Sequence, residues 1–497
     1  MLRTSSYTIY VALPEETDHM LLVHGYSGAY DKVSRSVAEY LLSLEAAERP
    51  KPLYGDWCSE PALQRVDGAT PPSDETIAVL TRRGYLTTMS VPEEEGYVAR
   101  LIKKHHAREM MHVDYIIMPT YDCNLRCAYC FQHHMRTQPR FRHLLRTMQA
   151  DVADRIFAAM PTIEREHGVP ENSAYKRRIG FFGGEPLLAQ NRAIVEYIMT
   201  KAQNLGPVEF WAVSNATELE AFEGLLGPQG IASIQITLDG PPAEHDRRRI
   251  RPDGSGTYAQ IAPNIDRCLD AGVLVSIRVN LDPGNIHELP RLAEEVVARG
   301  WDRRSGFSVG TAPITPNQQV PVEKTFGRWE LDQAIDELRA VYPAMQIIGR
   351  PDDGMQATAR RLFAGRQTGL GLHTAYCSAH SGMYIFDAFG DIYACWERTG
   401  EPGIRIGRVL DAGQVELNGL AKTWRSRTPA SNPTCRKCRY AFHCGGGCAV
   451  LAEKQTGKFY NNYCDGYANR FRHSVAMAYL DHVTGVVTRE VISVTDL

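Results

Sequence analysis

The sequence predicts an α/β protein whose centre is a partial, TIM-like (β/α)6 barrel, and three observations support this prediction. From about residue 112, short apolar strands alternate with amphipathic helices, and crossovers of this length imply a parallel sheet. Six strand–helix units are fewer than the eight of a closed barrel, so we expect one open side and chemistry at the carboxyl ends of the strands. Hairpin and short-helix patterns precede the barrel, and glycines and cysteines are frequent after residue 370.

Composition narrows the class of protein. A length of 497 residues suggests two to four domains, and 43% apolar and 23% charged residues are ordinary for a soluble globular protein. A net charge of −3 gives no broad electrostatic case for nucleic acid binding. No apolar run is long enough to span a membrane, and the N-terminus lacks a signal-peptide pattern. We therefore expect a cytoplasmic enzyme, in which clustered cysteines indicate metal ligation rather than disulfides.

Residues 1–110 are predicted to form a small separate domain. Its predicted elements are a β-hairpin, two helices and an extended segment: Tyr7–Leu13 with Met20–His24, Ser34–Ala46, Ser73–Gly84 and Tyr85–Met89. Together they resemble a winged-helix module, a peptide-recognition domain in some modifying enzymes.

The barrel is predicted over residues 111–326. Its strands are predicted at Asp114–Thr120, Arg178–Phe182, Val208–Ser214, Ser233–Leu238, Leu274–Asn280 and Gly306–Gly310. Its helices are predicted at Gln149–Glu166, Arg192–Ala202, Ile261–Ala271 and His287–Ala298. A helical bridge at 327–369, a metal-organised domain at 370–470 and a tail at 471–497 complete the predicted organisation.

Three cysteines directly follow the first barrel strand. Cys123, Cys127 and Cys130 have the spacing Cys-x3-Cys-x2-Cys with no fourth partner. Three thiolates cannot close a tetrahedral zinc site, but they can hold a [4Fe–4S] cluster and leave one iron open for a small molecule. The triplet therefore predicts a cluster with one open iron.

The triplet resembles the signature of the radical S-adenosylmethionine (SAM) superfamily. In that family an aromatic residue, here Tyr129, precedes the last cysteine and packs near the adenine. A Gly-Gly-Glu turn follows the second strand, here Gly183, Gly184 and Glu185, whose carboxylate or carbonyls can meet the methionyl ammonium.

Further polar residues at strand ends match the same family. Ser214 and Thr237 are candidates to bind the SAM ribose and carboxylate, and Arg278 is a candidate fork for the methionine carboxylate. Ala216 stands where the family often has glycine after Asn215.

A second array resembles the SPASM domain of the same superfamily. Its members are Cys377, Cys395, Cys435, Cys438, Cys444, Cys448 and Cys464. The resemblance implies two auxiliary iron–sulfur clusters, one held by Cys435, Cys438, Cys444 and Cys464, the other by Cys377, Cys395 and Cys448. A zinc ribbon is the alternative. The second set is one ligand short, and His380, Cys58, Cys268, a water or a substrate group could fill it.

The resemblance implies three [4Fe–4S] clusters, SAM, and a flavodoxin- or ferredoxin-type reductant. Reductive cleavage of SAM would give a 5′-deoxyadenosyl radical that removes hydrogen from a substrate carbon. Because SPASM members mostly act on peptides, we expect a maturase that forms a crosslink in a ribosomally made precursor peptide. The leader of that peptide would bind by adding a strand to the edge of the N-terminal hairpin. Neither nucleic acid nor membrane is an expected partner.

Several alternatives remain open at this point. An anaerobic sulfatase-maturing enzyme typically has Cys-Asp where this chain has Cys395-Trp396, which counts against it. A small-molecule radical SAM dehydrogenase would leave the N-terminal domain unexplained, and an electron carrier would not turn over SAM. Two basic runs are also open: Arg136–Arg146 is a solvated face or a docking site for an acidic peptide or phosphate, and Arg247–Arg251 is expected to be structural.

Overall fold

A computed structural model describes residues 2–46, 68–170, 175–317, 319–351, 353–367 and 369–485. Two compact units emerge from it. The first comprises residues 1–110, 352–381 and 425–490, and the second comprises 111–351, 382–424 and 491–497. The division of the chain into five segments stays a prediction. Among the described residues, no helix is both long enough and apolar enough to cross a membrane.

The strands are numbered along the chain. They are β1 Arg3–Thr4, β2 Thr8–Ala12, β3 His19–His24, β4 Tyr30–Ser34, β5 Leu86–Thr87, β6 Asp114–Ile117, β7 Arg177–Phe181, β8 Val208–Ser214, β9 Ile231–Thr237, β10 Leu274–Leu281, β11 Phe307–Pro313, β12 Ile348–Gly349, β13 Met383–Phe386, β14 Asp391–Tyr393, β15 Gly407–Val409 and β16 Val415–Leu417.

The α-helices are numbered in the same way. They are α1 Arg35–Ser43, α2 Asp74–Arg83, α3 Val91–Glu109, α4 His133–Thr137, α5 Ala150–Glu166, α6 Arg192–Leu205, α7 Pro242–Arg248, α8 Tyr258–Asp270, α9 Leu289–Ala298, α10 Arg328–Val341, α11 Asp353–Phe363, α12 Gly419–Arg425, α13 Pro433–Arg436, α14 Ala441–Cys444, α15 Ala449–Thr456 and α16 Tyr467–Thr484.

In the first unit, β2, β3 and β4 form an antiparallel sheet whose two faces are both covered. Because side chains alternate along a strand, Ile9 and Val11 pack on one face with α11 and α16. Tyr10 and Leu22 pack on the other face with α1 and α2. The N-terminal sheet therefore shares one apolar core with later parts of the chain.

The predicted hairpin is confirmed by the pairing of β2 with β3. The predicted second helix is confirmed as α2, with Ser73 accepting from the Thr76 amide and Gly84 ending it in the left-handed region. Strand β4 and the 19-residue helix α3 were not predicted from the sequence. The predicted tail begins inside α16, and its residues 486–497 lie outside the described part.

In the second unit, β6 to β11 lie side by side in chain order and pair in parallel, as predicted. Within the described residues, β12 extends this sheet beyond β11, and β13 to β16 extend it beyond β6. The predicted strands agree with the observed ones to within a few residues. The α/β class and the open parallel sheet are thus confirmed, and the strands' carboxyl ends share one edge.

The interior of the sheet is filled by large side chains. Trp211 lies over Gly180, where an added Cβ would stand 2.3 Å from the indole ring. Ile116, Met118 and Ile385 join the same apolar cluster. Since this packing closes the interior, the chemistry belongs at the strand ends above it.

Candidate active site

The candidate site begins in the loop that follows β6. Thr120 Oγ1 accepts a hydrogen bond from the Asp122 amide at 3.0 Å, and Asp122 Oδ1 accepts one from the Cys123 amide at 2.9 Å. The Cys130 amide donates to the Cys127 carbonyl at 3.2 Å. These short-range bonds fold the cysteine triplet into a tight loop at the carboxyl end of the strand.

The three thiols share one electrostatic environment. Burial raises the pKa of Cys123 to about 12; Arg136 opposes this shift and charge on Cys127 adds to it. Burial also raises the pKa of Cys127, where Arg249 opposes the shift. Arg136 Nη2 donates to Cys130 Sγ at 3.1 Å. Two cations thus lie where they stabilise thiolates, the form that binds iron.

A donor set of three thiols fits a cluster with an open iron. Among the described residues, no three Cys, His, Asp or Glu side chains converge as ligands of one metal ion. A [4Fe–4S] cluster makes a different demand, because each thiolate binds its own iron. Cys123, Cys127 and Cys130 would hold such a cluster, with Arg136 and Arg249 offsetting part of its negative charge.

The Gly-Gly-Glu turn after β7 packs directly on the cysteine loop. An added Cβ would stand 2.5 Å from the Thr120 carbonyl oxygen at Gly183 and 2.1 Å from the Asp122 carbonyl oxygen at Gly184. The Gly184 amide donates to the Thr120 carbonyl at 3.1 Å, and the Glu185 amide donates to the Asp122 carbonyl at 2.7 Å. Only glycine permits this approach, which couples the turn to the cysteine loop.

The Glu185 carboxylate is held inside the protein. Its Oε1 accepts from Ser214 Oγ at 2.8 Å and from the Leu187 amide at 2.9 Å, and its Oε2 accepts from the Asn215 amide at 2.6 Å. Burial raises the pKa of Glu185 to about 7 against these bonds. Ser214 Oγ also accepts from the Ala216 amide at 2.9 Å. Glu185 and Ser214 thus tie β7 to β8, which favours the turn's carbonyls, the other predicted option, as partners of an ammonium group.

The Tyr129 hydroxyl lies at the centre of a buried polar network. It donates to Asp239 Oδ2 and accepts from Arg249 Nη1 at 2.6 Å. The Asn280 amide group lies 3.4 Å from the same hydroxyl, and the Arg248 guanidinium lies 5.4 Å from the ring centroid. These contacts fix the orientation of the ring. The Arg247–Arg251 run was expected to be structural, but Arg249 donates to Tyr129 and acts electrostatically on Cys127.

Arg278 lies at the strand-end edge between two small neighbours. It pairs in register with Thr237 on β9 and with Gly310 on β11. An added Cβ at Gly310 would meet nothing within 4 Å, so open space lies beside this position. Burial lowers the pKa of Arg278, and Glu397 opposes this shift. A guanidinium next to open space can bind a carboxylate with two hydrogen bonds.

Comparison with known families agrees with this geometry. Residues 117–296 match the family model described as the Radical SAM superfamily. This part of the chain is a radical SAM domain. The protein is therefore a radical SAM enzyme, and that family implies one [4Fe–4S] cluster and SAM as cofactors.

Individual proteins similar to this chain share less than 30% sequence identity with it. A GTP 3′,8-cyclase of Paracoccus denitrificans is 27% identical over 338 residues, 65% of this chain and 90% of the relative. The antilisterial bacteriocin subtilosin biosynthesis protein AlbA of Bacillus subtilis is 22% identical over 66% of this chain and 65% of its own length. The solved structure described as native anSMEcpe with bound AdoMet and Cp18Cys peptide has a TM-score of 0.55 at 16% identity, covering 75% of this chain and 99% of that one.

An aromatic pair lies beside the Gly-Gly-Glu turn of the radical SAM domain. Phe182, directly before Gly183, stacks on Trp396 with ring centroids 5.4 Å apart and an interplanar angle of 27°. Both rings are partly exposed and pack against the apolar interior of the sheet. Trp396 directly follows Cys395, a predicted cluster ligand. The pair forms an apolar floor beside the predicted SAM site.

Four of the C-terminal cysteines lie close together in the first unit. Burial raises the pKa of Cys435, and charges on Cys438, Cys444 and Cys464 raise it further. Asn462 Nδ2 donates to Cys464 Sγ at 3.0 Å. Four thiols that act on one another fit the predicted four-thiolate cluster.

Cys377 and Cys448 form a separate pair in the same unit. Burial raises the pKa of Cys377 to about 12, and charge on Cys448 adds to that shift. Arg427 lies near this pair and opposes the shift. Cys395, the third predicted member, belongs to the second unit.

Arg427 braces the backbone around the C-terminal cysteines. Its guanidinium donates to the carbonyl oxygens of Gly446, Gly447, Phe459 and Asn461 at 2.7–3.1 Å. Arg427 was not predicted as a site residue, since no motif spacing marks it. A cation held at this place can offset thiolate charge.

The candidates for the missing ligand separate by position. His380 is fully buried in the short turn that follows Cys377. Cys268 is buried within α8 in the second unit, as expected for a packing residue. Cys58 lies outside the described residues.

Proposed function

We propose that this radical SAM enzyme matures a ribosomally made precursor peptide, abstracting hydrogen from the peptide and forming a crosslink. When bound, the [4Fe–4S] cluster supplies the one-electron cleavage of SAM into methionine and a 5′-deoxyadenosyl radical. Cys123, Cys127 and Cys130 would bind that cluster. Two auxiliary clusters, for a total of three, would be bound by the C-terminal cysteines.

The chain's own residues would position SAM and exclude water. The carbonyls of the Gly183–Glu185 turn would receive the methionyl ammonium, and Arg278 would bind the carboxylate with Thr237 alongside. Tyr129, fixed by Asp239 and Arg249, would pack near the adenine. The Phe182–Trp396 floor would keep water from the reacting carbon.

The observation that carries the peptide assignment is the outer edge of β4. Among the described residues, β4 pairs with β3 alone, so its other edge can receive an extended peptide. The Arg35 amide donates to the Asp18 carbonyl and the His24 amide donates to the Ala29 carbonyl. Because hydrogen-bonded pairs alternate along antiparallel strands, the backbone N–H and C=O of Lys32 face outward.

Two comparisons support the peptide assignment. AlbA is a bacteriocin biosynthesis protein, and the anSMEcpe structure is described with a bound peptide. The GTP 3′,8-cyclase likeness favours a small-molecule substrate instead. A small-molecule substrate would give the β2–β4 sheet no role. A sulfatase-maturing function is disfavoured separately, because Trp396 stands where such enzymes typically have an aspartate.

The edge can be tested without disturbing the fold. Lys32→Pro removes an outward N–H, so the β3–β4 bonds remain while an added strand loses one. We expect the dissociation constant for a candidate precursor peptide, chosen from short neighbouring open reading frames, to rise about tenfold, measured by isothermal titration calorimetry. Turnover should release 5′-deoxyadenosine, and formation of the crosslink should lower the mass of the peptide by two hydrogen atoms.

Lys32→Ala is the matched control. It removes the same side chain, which pairs with Glu16 and lies 5.5 Å from the Tyr479 ring, but it keeps the N–H. Its peptide affinity should stay within about threefold of wild type. Equal affinities for Lys32→Pro and wild type would show that β4 does not receive the peptide.

A further inference from the structure

The segment after the cysteine triplet carries unbalanced positive charge. Between residues 131 and 150 the sequence holds four arginines and no Asp, Glu or Lys, whereas the whole chain has a net charge of −3. The predicted radical SAM chemistry does not account for this concentration. It coincides with the Arg136–Arg146 run, which the sequence left open as a solvated face or a docking site.

The segment has one buried side and one exposed side. It consists of α4 and a 3₁₀ helix over Pro139–Leu145. Met135, Phe141 and Leu144 are buried in the apolar interior of the second unit. The exposed side carries four basic residues, which we call the basic face: Arg140, Arg142, His143 and Arg146.

Contacts within the protein hold two of these arginines without neutralising them. The Arg140 guanidinium lies 4.6 Å from the Phe141 ring centroid, and that of Arg146 lies 4.3 Å from the Phe389 ring centroid. An aromatic face orients a guanidinium and leaves its charge in place. Glu401 and Arg140 both act on His134, so one carboxylate lies near the first residue of the basic face, against three arginines. The basic face is therefore ordered and positively charged.

The basic face lies close to the predicted cluster. Arg136 donates to Cys130 Sγ at 3.1 Å. Arg140 lies only four residues after Arg136, across the extended residue Gln138 that separates α4 from the 3₁₀ helix, so their Cα atoms are at most roughly 14 Å apart. A protein bound to this face would stand near the Cys123–Cys130 loop.

We propose that the basic face docks an acidic electron-carrier protein that reduces the cluster held by Cys123, Cys127 and Cys130. The donor loses one electron, the cluster gains one, and no atom or proton changes place. Opposite charges on the two surfaces speed association and fix the orientation of the encounter. The inference rests on the radical SAM chemistry and on a protein reductant, and it does not require the substrate to be a peptide.

Binding provides the first test. The holoenzyme is titrated with a purified, oxidised flavodoxin of net negative charge, and the dissociation constant is measured by fluorescence anisotropy at low and moderate salt. Wild-type affinity should fall as salt rises, because exposed charges are screened. Arg142→Glu should raise the dissociation constant about fivefold at low salt and the triple change R140E/R142E/R146E about fiftyfold.

Arg303→Glu is the matched control. Arg303 is also exposed and lies after α9, at the β10–β11 side of the same sheet. It should leave the flavodoxin affinity within about twofold of wild type. Equal losses at Arg303 and Arg142 would overturn the proposal, since they would indicate an effect of net charge alone.

Two reductants separate docking from chemistry. With reduced flavodoxin, Arg142→Glu should lower the rate of 5′-deoxyadenosine formation about fivefold at low donor concentration. With dithionite, which needs no docking surface, its rate and its peptide KM should match wild type. A raised peptide KM with dithionite would assign the face to an acidic peptide instead, and unchanged flavodoxin binding would likewise overturn the proposal.

Discussion

At the scale of the residue, Asp387 is a second buried carboxyl group, besides Glu185, whose pKa is raised to near neutrality. Burial raises the pKa of Asp387 to about 7. Its Oδ1 accepts from the amides of Phe389 and Asp391 at 2.9 and 3.0 Å, and its Oδ2 accepts from the Tyr121 hydroxyl at 3.1 Å. Since Tyr121 leads into the cysteine loop, Asp387 links the β13–β14 turn to that loop.

The raised pKa predicts a stability that falls as pH rises. Between about pH 4, the unfolded value, and pH 7, folded Asp387 binds more protons than unfolded Asp387, so its contribution is full below this window and is lost across it. Asp387→Asn keeps a side-chain oxygen that can accept from the backbone amides of Phe389 and Asp391, and the new side chain does not titrate. Relative to wild type, it should gain about 1–3 kcal/mol in unfolding free energy on going from pH 5 to pH 8, measured by anaerobic urea denaturation.

The exposed Asp411 supplies the control for this prediction. Asp411→Asn makes the same chemical change at an exposed position, and its unfolding free energy should follow the wild-type pH dependence. A parallel pH dependence for Asp387→Asn and wild type would contradict a buried, raised carboxyl.

At the scale of the element, α3 is the longest helix that the sequence pattern did not predict. A capping box marks its start: the Glu93 carboxylate accepts from the Ser90 amide at 2.8 Å, and Ser90 Oγ accepts from the Glu93 amide at 3.4 Å. At its other end, Glu109 accepts from the Thr374 amide at 2.6 Å and from its hydroxyl at 2.7 Å. The helix thus anchors the segment that leads to Cys377.

Ser90→Ala should destabilise the first turn of α3 by about 1 kcal/mol, because the Glu93 backbone amide loses its side-chain acceptor. The measurement is hydrogen exchange by mass spectrometry over residues 91–95, where exchange should speed up about fivefold. Ser90→Thr retains the oxygen and should exchange almost as wild type does. Unchanged exchange in Ser90→Ala would mean that tertiary packing alone defines this helix end.

At the scale of the whole molecule, the sequence predicted positions better than partners. Strand–helix alternation located β6 to β11, because buried parallel strands and amphipathic helices have distinct periods. Motif order also located the cysteine loop and the Gly-Gly-Glu turn. Spacing could not reveal that Glu185 is bound by Ser214, or that Arg249 reaches Tyr129, since such contacts join residues that are distant in sequence.

The edge strand β4 shows the same limit from the other side. Three of its five residues, Asp31, Lys32 and Ser34, are polar, so its apolar pattern is too weak to predict a strand. Its pairing with β3 is what makes it a strand. The proposed peptide edge therefore depends on tertiary structure.

The iron content tests the metal proposal for the whole chain. Ten cysteines in two arrays should bind three [4Fe–4S] clusters, or about twelve irons per chain after anaerobic reconstitution. Replacing Cys123, Cys127 and Cys130 by alanine should remove about four irons and all SAM cleavage.

Replacing Cys435 and Cys438 should also remove about four irons while dithionite-driven SAM cleavage persists, because the iron that binds SAM belongs to the Cys123–Cys130 array. Cys268→Ala, a buried cysteine of α8, should change neither value. The measurements are iron and zinc assays with Mössbauer spectroscopy; about four irons in the wild type, or zinc as the main metal, would contradict the two auxiliary clusters and leave the radical SAM cluster as the sole iron site.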